Sequence, residues 1–208
     1  MSSKKVKLLV APCSYEAAKH ACLKYHYSKS VPAGKLVKFG VWEDNEFIGC
    51  VIFGRGGTLQ IGQPYNLNQD EVCELVRVAL KEHNTPVSKI ISKSLQQLKQ
   101  SNPLIKLIVS YADSNQNHLG IIYQATNWIY EGWREVTPSI VLNGKKYHAR
   151  SVHAKYGFNG IQWLKKNVDS KAHYAEDKGR HKYLMPLTKA TRRQIEPLSK
   201  PYPKAVLV

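Results

Sequence analysis

Asp113 closes the apolar run Leu104 to Ala112, which reads as a buried strand. In open α/β sheets the carboxyl ends of buried strands are where reactive groups are exposed. A carboxylate there can orient an incoming amine, take a proton or ligate a metal; the alternative is an Asx turn or a cap for the helix that follows at Leu119. Tyr123 comes ten residues later, at helical spacing with Leu119, Ile122 and Thr126, which is equally the spacing of a core residue. Arg77 interrupts another apolar strand, so unless it faces solvent its guanidinium needs a ligand or a buried anion such as Glu74. Ser110 and Tyr111 flank the same crevice as Asp113. In Lys24-Tyr25-His26-Tyr27-Ser28, His26 and Tyr27 are donor types that bind metals, although no spacing motif accompanies them.

The charge of the chain names a partner class. It carries 31 Lys and Arg against 15 Asp and Glu, a formal net charge of +16 over 208 residues, and the run from Lys145 to the end holds fifteen of those cations and four acids. Such an excess points to a polyanion, nucleic acid first, ahead of a membrane surface or an acidic protein. With 43% apolar and 22% charged residues the composition is that of a globular domain, and it excludes a disordered chain. Cys13, Cys22, Cys50 and Cys73 stand singly, which excludes a zinc ribbon or a disulfide framework and suggests reduced, buried thiols. No run approaches the roughly 20 apolar residues of a membrane span, and Met1 to Lys7 lacks a signal-peptide apolar region; a soluble, intracellular protein is expected.

Periodicity supplies the elements that must position these residues. Leu8 to Pro12 reads as a strand, and Ser14 sits where it caps a helix carrying Ala18, Ala21, Cys22 and Tyr25. Lys35 to Trp42 and Phe47 to Phe53 flank a polar turn as a hairpin. Cys73 to Leu80 is a strand; Val87, Ile90, Ile91, Ser94, Leu95 and Leu98 mark the buried face of a helix, and Leu104 to Ala112 is the next strand. A second long helix is expected through Leu119, Ile122, Tyr123 and Thr126, turning near Trp128 to Gly132. Trp133 to Leu142 and Lys145 to Val152 flank Asn143-Gly144, a type I′ hairpin signal. Short helices at Ile161 to Lys166 and Thr188 to Gln194 bracket a strand at Arg180 to Leu187.

This order, a mixed α/β (α+β) sheet, resembles the Gcn5-related N-acetyltransferase (GNAT) fold over roughly residues 7 to 145. The expected partition is a catalytic domain, 1–145, and a basic C-terminal extension, 146–208, packed on it and contacting DNA. The segments C-E-L-V-R-V (73–78), V-S-Y-A-D-S-N-Q-N-H-L-G-I-I-Y-Q-A-T-N-W-I-Y-E-G-W (109–133), L-N-G-K-K-Y-H-A-R-S-V-H-A-K-Y-G (142–157) and P-Y-P-K (201–204) resemble the phage Mom family of DNA-modifying proteins. That resemblance implies an acetyltransferase-fold enzyme in the cytoplasm of the infected bacterial host. It would convert the exocyclic amine of adenine in duplex DNA to a methylcarbamoyl derivative and so mask phage DNA from restriction.

The resemblance also assigns roles. Asp113, Tyr123 and Arg77 become catalytic residues, Tyr123 as the proton donor to a leaving thiolate. Acetyl-CoA or another acyl-CoA would set its pyrophosphate at the start of the helix after the fourth strand, here Lys81 to Ser88, with Asn84, Thr85, Ser88 and Lys89 as contacts. That loop departs from the fold's usual pattern in having no glycine. Iron is implied, with His26, Tyr27 and Asp113 as its ligands. Double-stranded DNA is the expected partner; oligomeric state is open. Adenine's amine lies inside a base pair, so the base must be drawn out. Trp128, Tyr130, Trp133, Tyr147, Tyr156 and Trp163 are aromatics available to receive it or fill its place, unless they are core. They are interleaved with Arg134, Lys145, Lys146, Arg150 and Lys155, and with Lys165 and Lys166, as phosphate contacts. Competing readings are an ordinary CoA-dependent N-acetyltransferase and a non-enzymatic basic nucleic-acid-binding protein.

Overall fold

The computed structural model describes residues 6–204; the outermost residues of both expected domains, 1–5 and 205–208, lie outside the described residues. Strand β1 (Leu8–Pro12) leads into helix α1 (Tyr15–Tyr25), where Ser14 Oγ accepts the Ala17 N–H at 3.1 Å as the N-cap. Strands β2 (Leu36–Glu43) and β3 (Glu46–Gly54) form a hairpin turned by Asp44 and Asn45, both at positive φ, the geometry a two-residue turn needs to match strand twist. β4 (Val72–Leu80), α2 (Val87–Ser101) and β5 (Leu107–Asp113) follow. The face of α2 that the apolar spacing predicts, Ile90, Ile91, Ser94, Leu95 and Leu98, is the face it buries.

Beyond β5 the chain departs from its periodicity. The expected long helix is a single turn, α3 (Ile121–Gln124). Gly120 precedes it at φ +75, where a Cβ would lie 2.3 Å from the Tyr183 ring, and Asn127 follows in the left-handed region at φ +60. Where a turn was expected, β6 (Ile129–Arg134) begins. Around Asn143-Gly144, at φ +49 and +72, the hairpin forms with shorter arms, β7 (Ile140–Leu142) and β8 (Lys145–Tyr147). It stops because His148 Nδ1 accepts the Arg150 N–H and caps α4 (Ala149–Tyr156), a helix that periodicity does not announce. α5 (Ile161–Asn167), β9 (His173–Tyr174), β10 (Arg180–Pro186) and α6 (Lys189–Ile195) complete the chain.

Seven strands form one sheet in the order β1-β2-β3-β4-β5-β10-β6, and β8-β7-β9 form a second. Alternate residues of β3 serve opposite faces of the large sheet: Val51 and Phe53 join the apolar cluster under α2, Cys50 and Ile52 the cluster under α1. β10 lies between β5 and β6, so the C-terminal part of the chain returns to the main sheet. The chain divides accordingly into one unit of residues up to Ala112, Leu119–Gly132 and from Lys182 on, and another of Asp113–His118 and Trp133–His181. This differs from a cut after 145, because the pairing that places β10 in the sheet is non-local. The tail Pro201-Tyr202-Pro203-Lys204 is pinned just ahead of β6 by Tyr202 Oη, which donates to Trp128 O at 2.6 Å. All four cysteines are free thiols. Among the described residues no helix is long and apolar enough to cross a membrane.

Candidate active site

The position of Arg77 follows from an irregularity in β4. Ile52 of β3 stands opposite Arg77 and Phe53 opposite Leu75, so Val76 is the extra residue of a β-bulge. Because paired residues share a face and Ile52 belongs to the α1 side, the bulge turns Arg77 toward that side. On the other edge the parallel ladder from Val72↔Leu107 to Leu75↔Ser110 ends there, although both strands run on. β4 and β5 therefore part at the bulge. Arg77 is half-buried; Nη1 donates to Val76 O at 2.7 Å, while Nε is buried with no hydrogen-bond partner among the described residues. A buried guanidinium donor without an acceptor is costly until a ligand supplies one.

Tyr123 reaches the last pair of the ladder. Its hydroxyl and Ser110 Oγ are 2.8 Å apart, and Ser110 Oγ donates to Leu75 O at 2.8 Å. Ser110 has one proton, and with the carbonyl taking it the phenol donates to Ser110. Burial pushes the Tyr123 phenol up to about 12, against the pull of Ser110, with Tyr27, Glu74 and Tyr183 adding to the rise. It is a proton donor at any ordinary pH. Its ring is boxed by Trp128 at 4.9 Å and Tyr183 at 5.1 Å between centroids. Trp128 and Tyr130 belong to this core at 0% and 7% exposure, which removes both as receivers of a base.

Tyr27 is close enough to Tyr123 to act on its charge, so the end of α1 belongs to the same neighbourhood. His26, the C-cap of α1, lies against Tyr27 with ring centroids 4.3 Å apart. Its Nδ1 accepts the Ser28 N–H at 3.1 Å and meets Ser28 Oγ at 2.8 Å. A neutral imidazole that accepts at Nδ1 carries its proton on Nε2, whereas metal-binding histidines donate through the nitrogen that does not bind. Tyr27 belongs with His26 in one unit and Asp113 to the other. Among the described residues no group of three or more His, Cys, Asp or Glu is placed to hold a metal. Cys22 is one that sequence reasoning missed. The neighbouring Cys50 thiol and, less strongly, Arg77 favour its thiolate, so its pKa is lowered, while Cys50, whose thiol donates to Ala18 O, is pushed up. No spacing signal announces this pair, since Cys50 reaches α1 only through the sheet.

The start of α2 carries a second finding that spacing did not announce. Glu43, at the end of β2, is 7% exposed, and its carboxylate accepts the Asn84 N–H at 3.0 Å and the Thr85 N–H at 2.5 Å. Burial alone would raise this carboxyl, but those N–H groups, the Thr85 hydroxyl and nearby His83 hold it below its usual range. Asn84 and Thr85, expected to meet a pyrophosphate with these amides, spend them on Glu43. Thr85 is buried and Asn84 exposed, whereas Ser88 is half-buried and Lys89 exposed in the first turn of α2, so Ser88 and Lys89 are the two of the four that Glu43 does not engage.

Asp113 opens the second unit. Its Oδ1 accepts the Asn115 N–H at 2.9 Å and Asn115 Nδ2 at 3.0 Å, so it does cap the turn that follows. In this unit Arg134, Lys145, Lys146, Arg150 and Lys155 are all exposed, as are Lys165 and Lys166. So are Trp133, Tyr147 and Trp163, while Tyr156 packs against the unit's own core. Phe158, absent from the expected aromatics, is exposed beside Trp163 with ring centroids 5.8 Å apart.

A sheet in this order, with a bulged fourth strand parting from the fifth, defines the acetyltransferase fold. An acetyltransferase of Bacillus subtilis solved with CoA shares it at a TM-score of 0.50 and 11% identity, over 88% of this chain and 100% of that one. A probable acetyltransferase of Staphylococcus epidermidis aligns over the same shares, 88% and 100%, at a TM-score of 0.49 and 11% identity. The model of the Mom protein family matches residues 7–204, and the chain belongs to that family. The methylcarbamoylase mom of Escherichia phage Mu is 25% identical over 188 residues, spanning 86% of this chain and 76% of the phage Mu protein.

Proposed function

We propose that this protein is a transferase that modifies DNA, converting the N6 amine of adenine in duplex DNA to its methylcarbamoyl derivative and so shielding phage DNA from restriction. The observation that carries the reading is the parting of β4 and β5 in a Mom-family chain, with the orphaned Nε of Arg77 on one side and the Tyr123 hydroxyl on the other. That gap suits an acyl-CoA arm. When bound, an acyl-CoA supplies an activated acyl carbon. Arg77 offers a donor to its carbonyl oxygen, and Tyr123 holds the proton that a departing thiolate takes. Ser88 and Lys89 are the residues at α2 left to meet its phosphates. The product carries an amide nitrogen that an acyl thioester lacks and joins the amine through its methyl carbon, so a nitrogen donor and a two-electron oxidant are consumed besides the acyl-CoA. Arg77 and Tyr123 act only to hold the acyl group and to protonate the thiolate released when the nitrogen donor takes the acyl carbonyl carbon. Iron is given no step, because among the described residues no group of three or more His, Cys, Asp or Glu is placed to hold it.

The exposed cations Arg134, Lys145, Lys146, Arg150 and Lys155 serve as phosphate contacts for duplex DNA. An ordinary small-amine acetyltransferase would have no use for them, and a simple binder would not need the orphaned arginine. The reading is tested by challenging plasmid DNA from expressing cells with restriction enzymes whose sites contain adenine. Resistance that disappears in Tyr123→Phe is expected; full cleavage of DNA from cells making folded, DNA-binding protein would overturn it.

A further inference from the structure

Trp133 is an exposed tryptophan with an unusually well-built seat. It stands next to last in β6 and is 51% exposed. Its Nε1 donates to Lys178 O at 2.8 Å. A Cβ on Gly179 would lie 2.4 Å from Cε2 and Cζ2 of the indole, so one part of the ring rests directly on the Gly179 backbone, held at φ +74. Both the close approach and the backbone conformation need glycine there. The loop beneath the ring is fixed in turn: Gly179 N and Asn115 Nδ2 each donate to Asp177 Oδ1 at 3.0 Å, Lys178 N donates to Asn115 Oδ1 at 3.0 Å, and Ser114 N donates to Gly179 O at 3.2 Å. Asn115 also donates to Asp113. One asparagine thus ties the loop carrying the indole to the carboxylate of Asp113, all within one unit.

We propose that the Trp133 indole is the platform on which an adenine drawn out of the duplex stacks, an inference that rests on the adenine-modifying reading above. A rigid aromatic loses little freedom when a flat ligand covers it, and the apolar area it shows to water is then buried. Arg134, next to it in the chain, and Lys178 and Arg180, which flank Gly179 beneath the ring, are exposed cations, which suit a base still attached to its phosphate backbone.

Trp133→Phe and Trp133→Leu test this together, because both lose the hydrogen bond to Lys178 and only Phe keeps a π face. Modified adenine in DNA from expressing cells is expected to fall on the order of tenfold to a hundredfold in Trp133→Leu, the usual worth of one stacked base, and to be largely retained in Trp133→Phe. Duplex affinity, its salt dependence and the thermal midpoint are expected to match between the two. Equal activities in Phe and Leu variants, whether both normal or both lost, would overturn the inference. Should Trp133→Leu not fold, Trp133→Met read against Phe decides in the same way. Wild-type protein that leaves adenine unmodified overturns the parent reading instead, and is told apart because no variant then has activity to compare.

Discussion

Tyr123 illustrates how burial sets a chemical role. The phenol is held protonated by its surroundings, and its link to Ser110 and Leu75 ties it to the last closed pair of the β4/β5 ladder. Tyr123→Phe removes the proton but not the ring. Turnover is expected to fall by about 10²- to 10⁴-fold, the usual worth of a positioned general acid. The thermal midpoint should move little, because Ser110 keeps its bond to Leu75. Tyr123 and Tyr183 are both raised from 10.0 to about 12. A raised folded pKa gives stability that is complete below the unfolded value and lost as pH climbs past it. Thermal melts should therefore decline between pH 10 and about 12, and Tyr123→Phe should soften that decline; a flat profile there would contradict the burial of these phenols.

Among the elements, Glu43 is where one fixes another. The carboxylate at the end of β2 fastens the loop that starts α2, so Glu43→Gln is expected to cost roughly 1.5–3 kcal/mol, the range for hydrogen bonds to a charged group. Because the folded pKa of Glu43 lies below its usual 4.5, its contribution is present above that pH and lost as pH falls through the folded value. Urea melts of wild type and Glu43→Gln should differ near neutrality and converge in acid; an equal gap at both would show the effect to be packing. Gly120→Ala should destabilise as well, since it places a methyl against the Tyr183 ring at a φ that alanine resists. β1, α1, the β2–β3 hairpin, β4 and α2 were legible in the sequence, because period and turn residues are local properties. α3 was not, since its length depends on Gly120 lying beneath Tyr183, sixty-three residues on. Arg77 was visible as an anomaly of pattern and Tyr123 only through the family resemblance, because its spacing is that of a core residue, but the bulge, the Glu43 hydrogen bonds and the Cys22–Cys50 pair exist only through strand register.

At the scale of the whole molecule, the chain uses the connection between β6 and β10 to carry a second unit with its own apolar core of Ile140, Leu142, Val152 and Leu164. The charge excess points to a polyanionic partner, yet it says nothing of β10 returning to the centre of the large sheet, because strand order is set by distant pairing. The exposed lysines past the β7–β8 turn should appear in the ionic-strength dependence of duplex binding. Lys145→Glu with Lys146→Glu is expected to reduce the slope of log affinity against log salt by about 0.9 for each phosphate that the variant no longer neutralises; an unchanged slope would take this hairpin out of the interface. The central claim is that this chain modifies adenine at the gap between β4 and β5. Mass spectrometry of nucleosides from DNA of cells expressing wild type, Arg77→Lys or Tyr123→Phe tests it most directly. A methylcarbamoyl deoxyadenosine in the wild type that falls sharply in both variants is the predicted result, and DNA holding only unmodified deoxyadenosine in the presence of folded wild-type protein would contradict it.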